Sequence, residues 1–470
     1  MNIKDILIND NESIKKAMNI IDNGGLSIAI VVDKKEKFSG VITSGDIRNA
    51  ILNGTNLDEK TGNVMNKSPL RILDSWPKEK IEKYLQTDEI KEKILKNKTM
   101  RIPILDKKEN VVNILIVNDD GSKNYLISEN NIDNNIIKPI KKVLIVGGAG
   151  YLGSILSKKL LDKGYYVRVL DNLTYGDHGI KTLKKNEKFE LLIGDMRDIQ
   201  TIVKAVWDVD AVIHLAAIVG DPASAINPIK TIEINYFATK MLAEVCKYSQ
   251  INRFIFASTC SVYGANIKPD IRINEESELN PISLYAEMKR KSEEALLEIA
   301  DENFRPTILR MATLYGLSPR MRFDLVVNIL TIKAIKEGKF AIFGGDQWRP
   351  LLHIKDAANA YITCLEQPLN KSGSEIFNVG SNEENYKIID VGRKVKRIVP
   401  DAAMEIDDSN IDKRDYNVSF NKINNILDFT TKYTVDDGVE EIKNSIEKGL
   451  FDDYPNKIYS NYTYLINNQE

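Results

Sequence analysis

The stretch VLIVGGAGYLG at 143–153 constrains this chain more than any other. Four apolar residues run directly into a turn marked by Gly147, Gly150 and Gly153, and Leu152, Ile155, Leu156 and Leu160 then recur at helical spacing as far as Gly164. An unbroken apolar strand is one buried on both faces, so strand, glycine turn and helix predict the start of a parallel α/β unit. The glycines let the backbone approach a pyrophosphate, which sits on the free N–H groups of the helix start, so Gly147, Gly150, Tyr151, Leu152 and Gly153 are candidate cofactor contacts. The next strand, at 166–170, ends in Asp171, followed by Asn172. A carboxylate there accepts a ribose 2′-hydroxyl and repels a 2′-phosphate, which favours NAD over NADP. Further apolar strands at 191–193, 211–215 and 254–257 alternate with helical segments and predict a doubly wound parallel sheet.

The address of that glycine turn is unusual, because a long segment precedes it. Residues 29–46, AIVVDKKEKFSGVITSGD, align without a gap to residues 102–119, IPILDKKENVVNILIVND. Each copy is an apolar run, a charged turn and a second apolar run, the pattern of a β-hairpin. Helical stretches precede the hairpins at 13–22 and 78–95, and a helix is expected to begin at 47–50. Half a unit of this size cannot bury its own apolar face, so the two copies should pack together. Residues 121–140 are polar and rich in Asn, as a linker would be. The expected organisation is a module over 1–120, a linker over 121–140 and an α/β domain over 141–470, its nucleotide-binding core at about 141–305 and a substrate lobe drawn mainly from 306–440.

The repeat resembles a tandem CBS pair, a regulatory module that commonly binds adenine nucleotides. The resemblance rests on GVITSGD at 40–46 and implies that Thr43 and Asp46 hold a ribose and phosphate. The second copy departs from it: Asn113 stands for the Gly and Ile116 for the Thr, while Asp119 remains. One nucleotide site is therefore expected to be intact, and a structural module without ligand is the alternative.

The α/β part, with GxxGxxG, Asp195-Met196 and HLAA at 214–217, resembles the extended short-chain dehydrogenase/reductases that act on nucleotide sugars. The resemblance implies that Asp195, Met196, Leu215, Ala216 and Ala217 line the cofactor site. His214 lies inside an apolar strand and is expected to be packed rather than catalytic. His178 and His353 belong to no ligand cluster, so no metal is expected.

Tyr285 and Lys289 form a YxxxK pair and share one helix face. The lysine, with a positive nicotinamide nearby, is expected to lower the tyrosine pKa from its usual ~10 and make it a base. Matching FASTCSVYG at 256–264 to the family's Ser/Thr-x-x-Val-Tyr-Gly puts the catalytic hydroxyl at Thr259. In the dehydratases of this family Asp-Glu follows that residue, and in some epimerases a cysteine stands at the second position; here the pair is Cys260 and Ser261. Cys260 should face away from the site on an extended segment. Elimination and ring-carbon deprotonation thus lack their usual groups. A hydride that leaves a secondary alcohol and returns to the other face of the ketone needs only Thr259, Tyr285, Lys289 and NAD, which is C4 epimerisation. A sugar-nucleotide dehydrogenase, ketoreductase or dehydratase is the enzymatic alternative, and an NAD-sensing protein the non-enzymatic one.

On the substrate side, LRMATLYG at 309–316 and GGDQWRPLLHIKDAANA at 344–360 resemble the family's segments around the nucleotide diphosphate. They make Arg349 the first diphosphate candidate, Arg414 the second, and Ser261, Thr313 and Asp324 further substrate contacts. Thr313 and Asp324 replace the family's usual Asn, and a carboxylate facing a diphosphate is unfavourable.

Composition narrows the setting. With 65 basic and 67 acidic residues, net charge −2, nothing favours nucleic acid or an acidic membrane surface. Three cysteines without a CxxC pair, and a polar first segment without an apolar signal core, point to the cytoplasm. The family resemblance implies a homodimer through helices at 231–248 and 285–300.

Overall fold

The structure, a computed structural model, describes residues 3–468 apart from 25, 98, 119–122, 126–139, 266–271, 302, 410, 411, 413 and 455. It divides into two compact units, Met1–Pro139 and Ile140–Glu470.

In the first unit the two sequence copies are two hairpins, Ile28–Val32 with Phe38–Thr43 and Thr99–Leu105 with Val111–Asn118. The shared DKKE makes the same turn twice. Asp33 accepts the Lys35 and Lys37 N–H groups at 2.7 and 2.9 Å, and Asp106 accepts those of Lys108 and Asn110 at 2.8 Å. The Glu of each turn takes the left-handed conformation, φ 59° and 60°. The copies pack together: Ile6, Ile28, Ile30 and Val41 bury against Ile114, and Phe38 N–H donates to the Glu109 carbonyl at 3.0 Å.

After the hairpins the copies diverge. Thr43 caps a helix over Ser44–Leu52, which starts three residues before the expected 47. The second copy has Ile116 at the corresponding place, which cannot cap, and its hairpin continues into a strand, Lys123–Tyr125, paired with Leu115–Val117. The expected linker over 121–140 therefore contributes a strand to the sheet. Its polar composition hid the strand, because an edge strand with few apolar side chains lacks the period-2 signal. Asp119 and linker residues 121, 122 and 126–139 lie outside the described residues. The expected single helix at 78–95 is two, Lys78–Leu85 and Asp88–Asn97.

The second unit is built on seven parallel strands: β1 (Lys142–Val146), β2 (Tyr166–Asp171), β3 (Phe189–Ile193), β4 (Ala211–His214), β5 (Arg253–Thr259), β6 (Arg305–Met311) and β7 (Ile376–Val379). Their order is β3-β2-β1-β4-β5-β6-β7. The chain reverses direction across the sheet between β1 and β4, and a ligand crevice forms at the carboxyl ends of the strands at such a switch. Apolar cores cover both faces, one around Val143, Leu156, Ile213 and Leu309, the other around Leu144, Val212, Phe254 and Leu242. Three helices matter for the site: α1 (Tyr151–Asp162), α2 (Ala238–Tyr248) and α3 (Leu284–Glu298).

The smaller lobe has its own core of Tyr315, Phe340, Ile342, Val391, Val435 and Val439. It carries Thr313–Tyr315 parallel to Trp348–His353, and Lys339–Phe343 parallel to Ala403–Asp407. The expected lobe over 306–440 is not continuous, since β6 and β7 fall inside it and extend the main sheet. Among the described residues no helix is long and apolar enough to cross a membrane.

Candidate active site

A cleft of about 1000 Å³ runs along the carboxyl ends of the strands. That is the top of the range for one small-molecule pocket, roughly 300–1,000 Å³. Gly147 has φ +87°, and a Cβ there would stand 2.6 Å from the Ala216 backbone nitrogen. A Cβ on Gly153 would lie 2.4 Å from the Gly147 carbonyl oxygen, so this glycine lets α1 close on the turn. Gly150 starts α1 without a side-chain cap, leaving the first-turn N–H groups, those of Tyr151, Leu152 and Gly153, without intrahelical acceptors.

Asp171 accepts Ala149 N–H and Leu173 N–H, one on each oxygen, both at 2.9 Å, which orients its remaining lone pairs. Burial raises its pKa, and these two bonds oppose the shift. Asn172, Asp195, Met196, Leu215, Ala216 and Ala217 also line the cleft. Asp195 is paired with Arg197 at 2.8 Å, and Asn172 accepts the Thr174 hydroxyl at 2.7 Å. The Tyr151 hydroxyl donates to the Gly316 carbonyl at 2.6 Å, which ties the glycine turn to the lobe. The chain supplies what a dinucleotide needs: close backbone, unpaired N–H groups and an oriented carboxylate.

Thr259 ends β5 and caps the short turn Cys260–Tyr263, its hydroxyl accepting Ser261 N–H at 3.1 Å. Ser283 caps α3 and donates its hydroxyl to Asp221 at 2.7 Å. Tyr285, in the first turn of α3, lies close enough to Thr259 for the threonine hydroxyl to act on its own. Lys289, a further turn along, donates to the Ala257 carbonyl at 2.6 Å and lies 4.6 Å from the Phe256 ring centroid. The three residues are brought together.

Their charge state differs from the expectation. Burial pushes the Tyr285 hydroxyl above its usual range and Asp221 adds to this, while Arg322 and the Thr259 hydroxyl pull less strongly the other way. Burial also pushes Lys289 down to about 7, with Glu293 opposing. The lysine therefore does not lower the tyrosine in the protein alone; the positive nicotinamide of the bound cofactor is the charge that can. Behind them Glu293 forms a buried pair with Arg310 at 2.7 Å, fixing α3 to β6.

Cys260 points away from the cleft, its thiol donating to the Arg310 carbonyl at 3.3 Å, and burial pushes the thiol pKa up. Ser261 faces the cleft, 3.2 Å from the Tyr416 hydroxyl. His214 is fully buried, bonded to Thr239 at 2.9 Å and tilted against the Phe256 ring, and burial holds it well below its usual pKa. Among the described residues no group of three or more His, Cys, Asp or Glu side chains converges as a metal site would.

The expected substrate residues all line the cleft, and the charged ones among them already hold partners of opposite charge. Arg349 lies 2.8 Å from Asp412, and Arg414 forks onto the same carboxylate at 3.0 and 3.1 Å while reaching Asp221 at 3.2 Å. Asp324 is clasped by Arg322 at 2.8 and 3.0 Å and accepts Asn461 N–H at 2.9 Å. Burial would raise its pKa, but the Arg322 charge prevails and holds the carboxyl below its usual range. The unfavourable bare carboxylate expected at 324 is thus neutralised in place. Thr313 contributes from the short strand Thr313–Tyr315. Sequence reasoning missed Tyr175, Arg320, Arg322, Asn461 and Tyr462, which also line the cleft. The dense Arg-Met-Arg run at 320–322 was a usable signal; the C-terminal helix Asn461–Asn467 carried none.

In the first unit Thr43 and Asp46 form a capping box. Thr43 N–H and hydroxyl donate to Asp46 at 2.8 and 2.7 Å, and Asp46 N–H returns to the Thr43 hydroxyl at 3.2 Å. Both are only partly buried.

Comparison with known proteins agrees with this geometry. The family model for the NAD dependent epimerase/dehydratase family matches residues 143–380, and that for the CBS domain matches 1–53. The chain is 31% identical over 278 residues to a UDP-glucose 4-epimerase of Lactobacillus helveticus, covering 55% of this chain and 82% of that protein. Among solved structures, UDP-glucose 4-epimerase of Thermotoga maritima with UDP-glucose is similar at TM-score 0.58 and 26% identity, over 66% of this chain and 99% of that one. UDP-glucuronic acid 4-epimerase of Bacillus cereus in complex with UDP-glucuronic acid and NAD is similar at TM-score 0.58 and 27% identity, over 65% and 99%.

Proposed function

Because the chain belongs to the NAD-dependent epimerase/dehydratase family, we propose that it inverts C4 of a nucleotide-activated sugar. NAD is its cofactor and supplies the hydride acceptor and donor when bound. The observation that carries the proposal is the strip 259–261: Thr259 joins Tyr285 and Lys289, while the next two side chains are a buried thiol turned away and a hydroxyl. No acid follows Thr259 to expel a ring substituent. The carboxylate that acts most on Tyr285, Asp221, is held by Ser283 and Arg414.

In this reading Thr259 holds the reacting sugar oxygen and Tyr285 takes its proton, then returns it after the keto sugar has turned. Lys289 sets the local charge and fixes the rim of β5 through Ala257. Arg349 and Arg414 exchange Asp412 for the substrate diphosphate, because a guanidinium fork fits either anion. Purified protein given a panel of UDP- and dTDP-sugars should yield the C4 epimer without net NADH. Loss of water, or NADH in proportion to product, would instead favour a dehydratase or a dehydrogenase.

Residues 1–120 form, in the same proposal, a regulator that binds an adenine nucleotide at Thr43 and Asp46, joined to an enzyme over 141–470. Support comes from the CBS match and the exposed helix start the two residues build. A homodimer through the segments around α2 and α3 is supported by exposed Ile229, Phe237 and Tyr248 (72%, 59% and 93%). A monomer by light scattering at micromolar concentration would contradict it. Three free, buried cysteines support the cytoplasm as its compartment.

A further inference from the structure

Arg320 is a cation in the cleft that the proposed reaction leaves unused. It is 1% exposed, and its Nε has no hydrogen-bond partner. Among the described residues no carboxylate forms an ion pair with it. Burial pushes its pKa down to about 10, so it stays charged at neutral pH. A buried charge without a direct ion pair is costly, and a ligand anion is the natural remedy.

The surroundings of Arg320 say which anion. A Cβ on Gly179 would lie 2.8 Å from the Ala149 carbonyl oxygen, 2.9 Å from Arg320 Cβ and 3.3 Å from Ser154 Cβ. Arg320 therefore packs beside the glycine turn and the first turn of α1. Ser318, two residues earlier, ties the same strip down by donating to the Tyr151 carbonyl at 2.7 Å and meeting the Ser154 hydroxyl at 3.1 Å. Asp171 and Arg320 are near enough to feel each other's charge. The Arg322–Asp324 pair also acts on Arg320, its two charges pulling in opposite directions. Arg349 and Arg414, the diphosphate candidates, sit on other elements and pair with Asp412.

We propose that Arg320 binds the pyrophosphate of NAD, adding a cation to the free N–H groups at the start of α1. The C-terminal segment holds it in place. Asn461 accepts from Arg320 Nη2 at 2.6 Å, and the guanidinium lies 4.4 Å from the ring centroid of Tyr175, which packs edge-on against Tyr464 at 5.3 Å. Tyr459 accepts Phe323 N–H at 2.8 Å, anchoring that segment to the strip carrying Arg320. The inference rests on NAD as cofactor and not on which sugar carbon is inverted.

The test is calorimetric titration of NAD, and separately of UDP, into the full chain stripped of cofactor. Arg320→Gln should weaken NAD roughly 10- to 100-fold, the loss of a charge-assisted bond, and leave UDP within about twofold. Arg320→Lys should recover part of the loss, and Asn461→Ala, which frees the guanidinium, should weaken NAD several-fold. Unchanged NAD affinity in folded Arg320→Gln would overturn the proposal. So would weakened UDP with intact NAD, which would place Arg320 on the substrate. Should Arg320→Gln not fold, unchanged NAD affinity in both Arg320→Lys and Asn461→Ala decides against it equally.

Discussion

On the cofactor side of the cleft, recognition is prepared by backbone: Gly147 and Gly153 bring chain against chain, and α1 offers unpaired N–H groups. On the proposed substrate side the cleft is lined by side chains that already hold each other, Arg349 and Arg414 on Asp412, and Arg322 on Asp324. Backbone recognition tolerates little change, because a single methyl group meets main chain. Side-chain recognition is an exchange of partners, and it can be retuned by altering one of them. The difference predicts where this enzyme is rigid in what it binds and where it can differ from its relatives.

The sharpest break in that comparison is at the reacting centre, where the two sides meet. Tyr285→Phe should lower turnover by about 10²–10⁴, the range of one general acid–base group, while retaining NAD. Turnover within tenfold of wild type would mean another group moves the proton. On the cofactor side, Gly153→Ala puts a Cβ 2.4 Å from a backbone oxygen. It should cost about 1–3 kcal/mol of stability and abolish NAD retention through gel filtration. A stable variant that keeps NAD would show that the turn has slack.

On the substrate side, Arg349→Gln should weaken UDP binding by about 1.5–3 kcal/mol and leave NAD content unchanged. Equal loss of both ligands would merge the two sides that the account separates.

The contrast also explains what could be read in the chain beforehand. A backbone site leaves glycines at fixed spacing, an apolar strand before them and an acid after the next strand, so Gly147, Gly153 and Asp171 were legible. YxxxK is likewise local to one helix. A side-chain site is assembled from distant residues, and nothing near Arg349 announces Asp412. Arg322 as the partner of Asp324 lay two residues away, yet only their packing against Asn461 shows that the pair is buried and neutral. The strand at 123–125 was hidden by polar composition, and the break between 85 and 88 by a helical period that runs through it.

Lys289 provides a pH test. Its folded pKa, about 7, lies below the ~10.4 of an unfolded lysine. Between those values the unfolded chain holds the extra proton, so stability rises with pH; the penalty is full below about pH 7. Relative to Lys289→Met, wild type should gain at most about 1.4 kcal/mol per pH unit between pH 7 and 9. Parallel denaturation profiles would mean that Lys289 is not desolvated as described.

The smallest effect is expected in the first unit. Asp46→Ala removes one arm of the capping box and should cost about 1 kcal/mol of local stability. With NAD saturating the enzyme, it should also abolish calorimetric binding of AMP, ADP or ATP. Binding that survives the change would move the regulatory site away from Thr43 and Asp46, and no binding to wild type would leave the capping box a purely structural device.

Inversion at C4 with no acid or base acting on a ring carbon can be followed by turnover in deuterium oxide. Product recovered from the nucleotide-sugar panel should be the C4 epimer, carry no solvent deuterium on any ring carbon, and form without net NADH. Deuterium at a carbon beside C4, or a product lighter by one water, would contradict the account.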